Sequence, residues 1–429
     1  MAEIEIKNLG PIKEANLTLN KINVFIGPQS SGKSTISKIV SYCTWVEKDV
    51  ATSQSLEKYE NNVNHFKEHL EKYHKLNKYF LPDSYISYKS DVIEIECDAN
   101  KFSIKWKSRY GYKRSKISYI PSERNMIILP EVRKVEFGDT NIRSFLFDWS
   151  DARKNYIKNE ELPVLNLGVK YYYNENTDED HIVKYQNGNS YDILLSNASS
   201  GLQSITPLIG MVDYLTNRIY KQEEPISFEL NTRKRQVYQI LLKEVILKEY
   251  YKNSKKTEEE QLDEIKEKMK TNNDEELNKL FEVVDNIVKI LFSTQNSQFI
   301  IEEPEQNLFP ETQRDLVYYL LEKCLDTEHR ITITTHSPYI LYALNNCMMG
   351  AVISDKLNED EKKDFLSKNS WISPDKVNVF QIKDGILCSI KNPKTGTIDK
   401  HYFNGIMKEI MDEYIEMLSF YSGENDDEE

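Results

Sequence analysis

Cysteine is scarce in this sequence, and long apolar runs are missing from it. Its 429 residues include five cysteines, no two of which form a C-x-x-C pair. Isolated cysteines argue against a zinc site or a disulfide framework, and they fit a reducing compartment. No apolar run approaches the about 20 residues that a bilayer-spanning helix needs, and Met1–Ile6 does not resemble a signal peptide. We therefore expect a soluble, cytoplasmic protein without membrane contacts.

Acidic residues outnumber basic ones, and the formal net charge is −13. This balance opposes general binding to nucleic acid or anionic membranes. One local exception is Lys101–Lys116, which holds seven basic residues, no acidic one and several interleaved aromatic residues. Such a segment is typical of a surface that follows a DNA backbone and stacks on bases, and equally of an edge hairpin that is protected by charge. Both interpretations stay open.

A short glycine pattern stands between a strand and a helix near the N-terminus. The apolar strand Ile22–Ile26 leads into a segment that fits G-x-x-x-x-G-K-[ST], the phosphate-binding loop. Its glycines let backbone N–H groups point at phosphate oxygens, and the next helix presents its positive N-terminal end. We expect Lys33 to bind the β- and γ-phosphates and Ser34 to bind Mg²⁺. The loop residues assigned to nucleotide binding are Gly27, Pro28, Gln29, Ser30, Ser31, Gly32, Lys33, Ser34 and Thr35.

A second apolar strand, Gln298–Ile301, runs directly into carboxylates. Hydrolysis of a phosphoanhydride needs one carboxylate near the metal and another that polarises the attacking water. Two adjacent acidic residues at the carboxyl end of a strand can take these two tasks. We assign Glu302 to Mg²⁺ and Glu303 to the water.

A third strand, Arg330–Thr334, is followed by His336. Ser337 and Pro338 then have the chemistry of an N-cap and a first helical residue. Ligands of open α/β folds lie at the carboxyl edge of the sheet, so His336 is a candidate to contact the γ-phosphate or the attacking water.

A serine–glycine segment precedes another amphipathic helix. Ser199, Ser200 and Gly201 stand where a helix N-terminus would form an anion site. A plain N-cap explains the same residues. Pro207 falls inside the predicted helix and is expected to kink it.

Together, these four segments resemble the ABC-type ATPase heads of the SMC, RecF and OLD families. Ile6–Ile12, Ile120–Arg124 and Glu302–Glu305 are typical of the OLD-like ATP-binding proteins of bacteria. The resemblance implies an α/β fold, a P-loop ABC-type ATPase with a mixed sheet, an antiparallel β subdomain and a helical insertion. It implies ATP and Mg²⁺ as ligands, and it suggests Arg124 as a γ-phosphate or interface contact. Phe309 departs from the pattern, because a histidine is common at that position.

The resemblance also implies an assembly. Ser199–Gly201 of one subunit would cap the γ-phosphate bound to Lys33 of another, so we expect a homodimer or higher homo-oligomer. OLD nucleases carry a Toprim domain with an Asp-x-Asp cluster, which residues 351–429 lack. We therefore expect no nuclease activity in this chain. Similar ATPases belong to bacterial anti-phage systems such as PARIS and Septu, where the ATPase controls a separate effector that can be a nuclease.

Two other functions fit parts of the sequence. The first is a DNA-repair or recombination ATPase of the RecF/SMC type, which would bind DNA through Lys101–Lys116. The second is a transporter's nucleotide-binding subunit. In such subunits only a short helix separates the signature sequence, whose place the serine–glycine segment takes here, from the acidic strand, so the long stretch 205–297 disfavours this function.

The remaining segments read as additions to the ATPase core. We expect an antiparallel β unit from Tyr85 to Tyr119, a hairpin at 169–185, a coiled coil or a solvated helix pair around Lys255–Lys270, and a disordered acidic tail at Glu424–Glu429. The expected divisions are the first core part at 1–125 with an insertion at about 45–116, a small insertion at 126–190, the signature helix at 191–220, a helical insertion at 221–296, the second core part at 297–350 and a C-terminal region at 351–429.

Overall fold

Strands form where apolar residues alternate or run together in the sequence. The computed structural model describes residues 2–62, 64–132, 135–185, 188, 190–221, 228–252, 254–271 and 274–421. These residues form fifteen strands, which are β1 (Glu3–Leu9), β2 (Ile12–Thr18), β3 (Ile22–Ile26), β4 (Phe80–Lys89), β5 (Ile93–Asp98), β6 (Phe102–Trp106), β7 (Ser115–Ile120), β8 (Leu162–Pro163), β9 (Lys170–Asn174), β10 (Glu179–Lys184), β11 (Tyr191–Leu194), β12 (Asn296–Glu302), β13 (Arg330–Thr335), β14 (Val377–Lys383) and β15 (Ile386–Ser389).

Helices lie in the longer connections between these strands and after the last strand. The described residues form thirteen α-helices, which are α1 (Lys33–Ser53), α2 (Glu57–Glu60), α3 (His65–His74), α4 (Asn141–Ala152), α5 (Ser200–Asp213), α6 (Phe228–Leu241), α7 (Lys248–Tyr250), α8 (Glu258–Thr271), α9 (Glu275–Phe292), α10 (Pro310–Glu322), α11 (Pro338–Ile353), α12 (Glu359–Lys363) and α13 (Tyr402–Tyr421). Helices α5 and α6 each continue into a π-helical turn, at Tyr214–Arg218 and Leu242–Leu247.

One mixed sheet organises the molecule. Its eleven strands lie in the order β6–β5–β4–β1–β2–β15–β14–β3–β13–β12–β7. The last five of these run parallel to one another. All five residues of β3 are buried, as expected for a strand that is covered on both faces. The predicted α/β class with a mixed sheet is confirmed, and the carboxyl ends of the parallel strands meet at one edge.

The predicted antiparallel unit at Tyr85–Tyr119 is only partly correct. Strands β4, β5 and β6 are antiparallel and extend the sheet beyond β1. Strand β7 instead lies at the opposite end of the sheet and pairs in parallel with β12. The aromatic and β-branched pattern is the same in both places, because local alternation reports a half-buried strand and not its neighbour.

Helices cover both faces of the parallel half. On β3, Ile22, Val24 and Ile26 belong to a core cluster shared with α4, α5, α10 and α11. Phe25 belongs to a second cluster, on the other face, with α1, α3, α6 and α9. This arrangement buries the central strands and leaves only their ends to meet solvent and ligands.

Additional elements surround this core. A four-stranded antiparallel sheet has the order β11–β10–β9–β8, which confirms the predicted hairpin as its centre. Helix α8 covers the predicted coiled-coil stretch, packs on the π-helical turn Leu242–Leu247 and buries Ile265 in the second core cluster, to which α9 also belongs. The predicted acidic tail at Glu424–Glu429 lies outside the described residues. Among the helices described, none has the length and apolarity needed to cross a membrane.

Candidate functional site

The loop that the sequence predicts to bind phosphate connects β3 to α1, as expected. Gly32 precedes the helix with φ at +103°, in the left-handed region that favours glycine. A Cβ atom at this position would stand 2.3 Å from Cδ1 of Ile12, so a side chain has no space there. Lys33 is buried, and its Nζ donates hydrogen bonds to the carbonyl oxygens of Gly27 (2.8 Å) and Pro28 (2.7 Å). The loop thus curls around the ammonium group of its own lysine.

Burial controls the charge of this lysine. It lowers the pKa of Lys33 to about 8, while the nearby carboxylates of Glu303 and Glu305 oppose the shift. A cation in this position would be stabilised by anionic phosphates better than by two neutral carbonyl groups. The loop is therefore suited to exchange its internal hydrogen bonds for a phosphate ligand.

The acidic end of β12 lies beside this loop in the sheet order, separated from β3 by β13 alone. Glu302 is the last residue of the strand and is buried. Its Oε1 receives no hydrogen bond of normal geometry in the described part of the chain, although the Tyr119 hydroxyl, whose pKa is raised by burial and by Glu302, lies near this carboxylate. Glu303 follows with φ at +44°, and its N–H donates to the carbonyl oxygen of Thr334 at 2.9 Å. This turn directs two successive carboxylates to different surroundings, one buried and one half exposed.

His336 follows the end of β13 and reaches the same place. Its Nε2 lies 3.4 Å from Oε1 of Glu303, and its N–H donates to Oε1 of Glu305 at 2.6 Å. Burial and the charge of Lys33 lower the pKa of His336, and Glu303 opposes them, so the imidazole is neutral near pH 7. Ser337 caps α11 by accepting a hydrogen bond from the N–H of Tyr339 (3.1 Å), which confirms the predicted N-cap.

The serine–glycine segment begins α5, and Ser199 acts as its N-cap. The Ser199 hydroxyl accepts a hydrogen bond from the N–H of Leu202 at 3.5 Å. A Cβ atom at Gly201 would stand 2.8 Å from the carbonyl oxygen of Asn307, so the helix start packs directly against the loop that follows Glu303. The structure thus brings this segment to the acidic loop of its own chain. Its contact with a second subunit stays a prediction, as does the role of Ser200. Helix α5 passes Pro207 and continues to Asp213.

The structure gives Arg124 a role inside the chain, whereas the sequence suggested a γ-phosphate or interface contact. Its side chain is fully buried, and its guanidinium donates to the carbonyl oxygens of Ser204 (3.1 Å), Glu302 (2.9 Å) and Glu303 (2.9 Å), with longer bonds to Pro121 and Pro304 (both 3.3 Å). Burial lowers its pKa to about 10, opposed by the neighbouring carboxylates. All the donors face inward, so Arg124 ties helix α5 to the acidic end of β12.

Two further acidic side chains, Glu305 and Glu123, lie at this edge, and the sequence predicts no role for either. Burial raises the pKa of Glu305, whose carboxylate receives the His336 N–H. Glu123 follows β7, and the β7–β12 register pairs Ile120 with Ile301, so it stands near the end of β12. The sequence Glu-Glu-Pro-Glu indicates that Glu305 lies close to Glu303, so Glu305 could have been assigned to the site from the sequence. Only the order of the strands shows that Glu123 lies at the same edge.

The basic segment 101–116 is largely engaged within the chain. Arg109 forms a bidentate pair with Glu244 (2.9 and 2.8 Å), and Lys107 donates to the carbonyl oxygen of Ser90 (2.7 Å). Arg114 and Lys116 also have partners in the chain, namely the carbonyl oxygen of Phe292 (3.0 Å) and Asp148 (2.7 Å). These contacts favour a structural role for the segment over a DNA-binding surface.

Comparisons with known proteins agree with a nucleotide site in this region. A family model described as an AAA ATPase domain matches residues 292–341. The matched segment contains β12, α10 and β13 and therefore includes Glu302, Glu303 and His336. It supports an ATPase but covers only a small part of the chain. No curated protein matches the sequence.

Several solved structures can be superposed on most of the chain at low identity. The SMC head domain from Thermotoga maritima is 9% identical with a TM-score of 0.36, covering 90% of this chain and 97% of that chain. The recombination mediator RecF is 12% identical with a TM-score of 0.30, covering 90% and 97%. A dimeric bacterial ABC transporter cassette is 9% identical with a TM-score of 0.29, covering 90% and 96%. Similarities this weak do not transfer a function.

Proposed function

We propose that this chain binds ATP at Gly27–Thr35 and hydrolyses it. The observation that carries the proposal is the shared carboxyl edge of β3, β13 and β12. There, Lys33 follows β3, His336 follows β13 and Glu303 follows β12, and the last two lie 3.4 Å apart. The carboxyl edge of parallel strands is where open α/β sheets bind their ligands. A phosphate loop with a carboxylate and a neutral imidazole beside it is suited to phosphoryl transfer to water.

The donor set at this edge fits Mg²⁺. Glu302 has a buried Oε1 that receives no hydrogen bond of normal geometry in the described residues, and such a buried carboxylate oxygen favours a cation. Ser34, in the first turn of α1, would supply a hydroxyl, and Mg²⁺ prefers such oxygen ligands. When bound, the ion would neutralise negative charge on the phosphates.

Glu303 is the proposed general base. Its carboxylate is half exposed, so it has room to accept a hydrogen bond, and later the proton, from a water molecule that attacks the γ-phosphate. His336 would hold that water or the γ-phosphate from the other side, because its Nε2 faces the same carboxylate. Lys33 would exchange its bonds to Gly27 and Pro28 for the β- and γ-phosphates.

We further propose that the chain works as a switch with a second copy of itself. Ser199–Gly201 of one subunit would close the ATP site of the other, and hydrolysis would release the pair. The packing of Gly201 on Asn307 supports this proposal, because a subunit that contacts the serine–glycine segment would thereby act on the loop that follows Glu303. The motif resemblance to OLD-like proteins supports a role in anti-phage defence, in which this chain controls a separate effector and has no nuclease activity of its own.

The experiment compares two variants of the site. Lys33→Ala removes the phosphate ligand and should abolish ATP binding. Glu303→Gln keeps the shape of the base but not its charge, so it should bind ATP and hydrolyse it at least about 100-fold more slowly. Binding is measured by calorimetry and turnover by phosphate release, with and without Mg²⁺.

Matched controls separate chemistry from folding. Lys38→Ala changes another lysine of α1, and Glu311→Gln changes an exposed glutamate of α10. Both should bind and hydrolyse ATP like the wild type. Undiminished ATP affinity in Lys33→Ala, or normal turnover in Glu303→Gln, would contradict the assignments.

A further inference from the structure

Glu305 lies in the loop that follows the acidic end of β12, and its carboxyl group joins this loop to the end of β13. Its Oε1 accepts a hydrogen bond from the backbone N–H of His336 at 2.6 Å, although the two residues are 31 positions apart in the chain. Its Oε2 is enclosed, and burial raises the pKa of the carboxyl group. The bond thus connects the loop that carries Glu303 to the histidine that faces Glu303.

The course of the backbone explains why a side chain is the acceptor at this point. The N–H of Glu303 donates to the carbonyl oxygen of Thr334 (2.9 Å), which is the last bond of the parallel β12–β13 ladder. Glu303 then leaves the strand direction with φ at +44°, and its own carbonyl oxygen accepts from Arg124 (2.9 Å). Alternate N–H groups of a parallel strand face the same neighbour, so the next one to face β12 is that of His336. The backbone of β12 has turned away there, and Glu305 supplies the acceptor instead.

This bond holds the peptide from which the imidazole of His336 projects. The Nε2 atom of the imidazole lies 3.4 Å from Oε1 of Glu303, the proposed general base. Displacement of a catalytic group by about 1 Å can lower a rate about 100-fold. The hydrogen bond from the His336 N–H to Glu305 is therefore in a position to affect hydrolysis, although Glu305 itself need not touch the nucleotide.

A second contact holds the same two loops together without Glu305. The Nε2 of Gln313 donates to the carbonyl oxygen of Leu308 (2.8 Å), and its Oε1 accepts a hydrogen bond from the hydroxyl of Ser337. This contact acts one residue beyond His336 and keeps the start of α11 beside the acidic loop. Loss of the Glu305 side chain should therefore release the His336 peptide locally and leave the fold intact.

We propose that Glu305 is a positioning residue for hydrolysis, because it holds the backbone of His336 so that the imidazole faces Glu303. The inference rests on the proposed function and gives the last glutamate of Glu-Glu-Pro-Glu a task of its own. Glu305 acts as a hydrogen-bond acceptor and exchanges no proton in the reaction. An uncharged side chain with an oxygen in the same place should therefore serve as well.

The first test measures ATP turnover by phosphate release and ATP affinity by calorimetry in the full-length chain. Glu305→Ala removes the acceptor, so kcat should fall about 10- to 100-fold without loss of ATP affinity. Glu305→Gln keeps an acceptor oxygen of the same reach and should retain most of the turnover. The control Glu311→Ala removes an exposed glutamate of α10 and should behave like the wild type.

A double-mutant cycle with His336→Ala identifies the route of the effect. If Glu305 acts through His336, then Glu305→Ala should slow the His336→Ala chain no further. An undiminished effect in that background would overturn the inference. So would a wild-type kcat in Glu305→Ala, or a loss in Glu305→Gln as large as the loss in Glu305→Ala.

A spectroscopic measurement tests the hydrogen bond without relying on hydrolysis. The chain has seven histidines, so labelling with ¹⁵N-histidine limits the backbone amide spectrum to seven signals, and the one that disappears in His336→Ala belongs to His336. Because a short hydrogen bond moves an amide proton downfield, this signal should move upfield in Glu305→Ala and stay in place in Glu305→Gln. A signal that does not move in Glu305→Ala would overturn the inference. A wild type that releases no phosphate would reject the proposed function, whereas the amide signal decides separately whether Glu305 holds His336.

Discussion

Two buried cations, Lys33 and Arg124, have opposite functions at the candidate site. Lys33 is held by two neutral carbonyl groups, so replacing these two hydrogen bonds by bonds to a phosphate costs little free energy. Arg124 bonds to five carbonyl oxygens from three segments, and each would lose a buried partner if the guanidinium were removed. One cation is therefore poised to bind a ligand, whereas the other keeps the ligand site in shape.

The lowered pKa of Lys33 predicts a pH dependence of ATP binding. Without nucleotide, burial brings this pKa to about 8, so the side chain loses its charge as the pH rises through that value. Bound phosphates favour the ammonium form and raise the pKa again. Binding should therefore be strongest below pH 8, weaken by up to about tenfold per pH unit above it, and take up about half a proton at pH 8.

Calorimetry in buffers of different ionisation enthalpy measures this proton uptake directly. The Lys38→Ala chain, with an ordinary lysine removed from the same helix, should show the wild-type profile. An affinity that stays constant from pH 7 to pH 9, with no proton uptake, would show that Lys33 remains charged throughout.

At the scale of elements, the start of α5 and the loop after β12 form one unit. The Cα of Gly201 approaches the carbonyl of Asn307 so closely that a Cβ would stand 2.8 Å from its oxygen. The Ser204 carbonyl of the same helix is joined to Glu302 and Glu303 through Arg124. A shift of either element should therefore move the other.

This packing predicts that Gly201→Ala is costly. The added methyl group would push α5 away from a backbone carbonyl that cannot turn aside, and overpacking of this kind costs about 1–3 kcal/mol of unfolding free energy. ATP turnover should fall, because the displaced loop carries Glu303. Urea unfolding and phosphate release measure the two effects.

Gly405→Ala is the matched control. Gly405 also lies in a helix, and a Cβ there would meet no atom within 4 Å. Alanine favours helix over glycine by about 1 kcal/mol, so this variant should be as stable as the wild type or more stable. If Gly201→Ala behaves like Gly405→Ala, the packing of α5 on the Asn307 loop is looser than the structure indicates.

At the scale of the whole molecule, the net charge and the internal contacts of the basic segment both disfavour nucleic-acid binding. The net charge is −13, and the most basic segment uses Lys107, Arg109, Arg114 and Lys116 for contacts inside the chain. Phosphate contacts by free cations are what make DNA binding strong and dependent on salt. The molecule thus retains less cationic surface than the sequence of this segment indicates.

We therefore expect no salt-dependent binding of duplex DNA at physiological ionic strength. Fluorescence anisotropy with a labelled duplex, with and without ATP, measures it, and turnover should be the same when DNA is added. Binding that weakens with salt and disappears in Lys101→Glu/Lys105→Glu would instead favour the DNA-repair interpretation.

Local signals in the sequence were sufficient for the parts of the fold that depend on neighbouring residues. The β3–α1 loop, the acidic end of β12, the Ser337 cap and the hairpin of β9 and β10 follow from short patterns of glycine, apolar and capping residues. Their conformations are set by backbone sterics and hydrogen bonds within a few positions, and these are visible in one stretch of chain.

Only the tertiary structure decided which distant segments meet. Strands β6 and β7 have the same sequence pattern, yet they lie at opposite ends of the sheet. Arg124 and Lys116 could each have bound a ligand by their charge, but the structure pairs both with groups inside the chain. Helix α13 is likewise rich in apolar residues, as a buried helix would be, yet the structure leaves most of them exposed. Periodicity tells which side of an element avoids water, whereas strand order and long-range packing determine what covers that side.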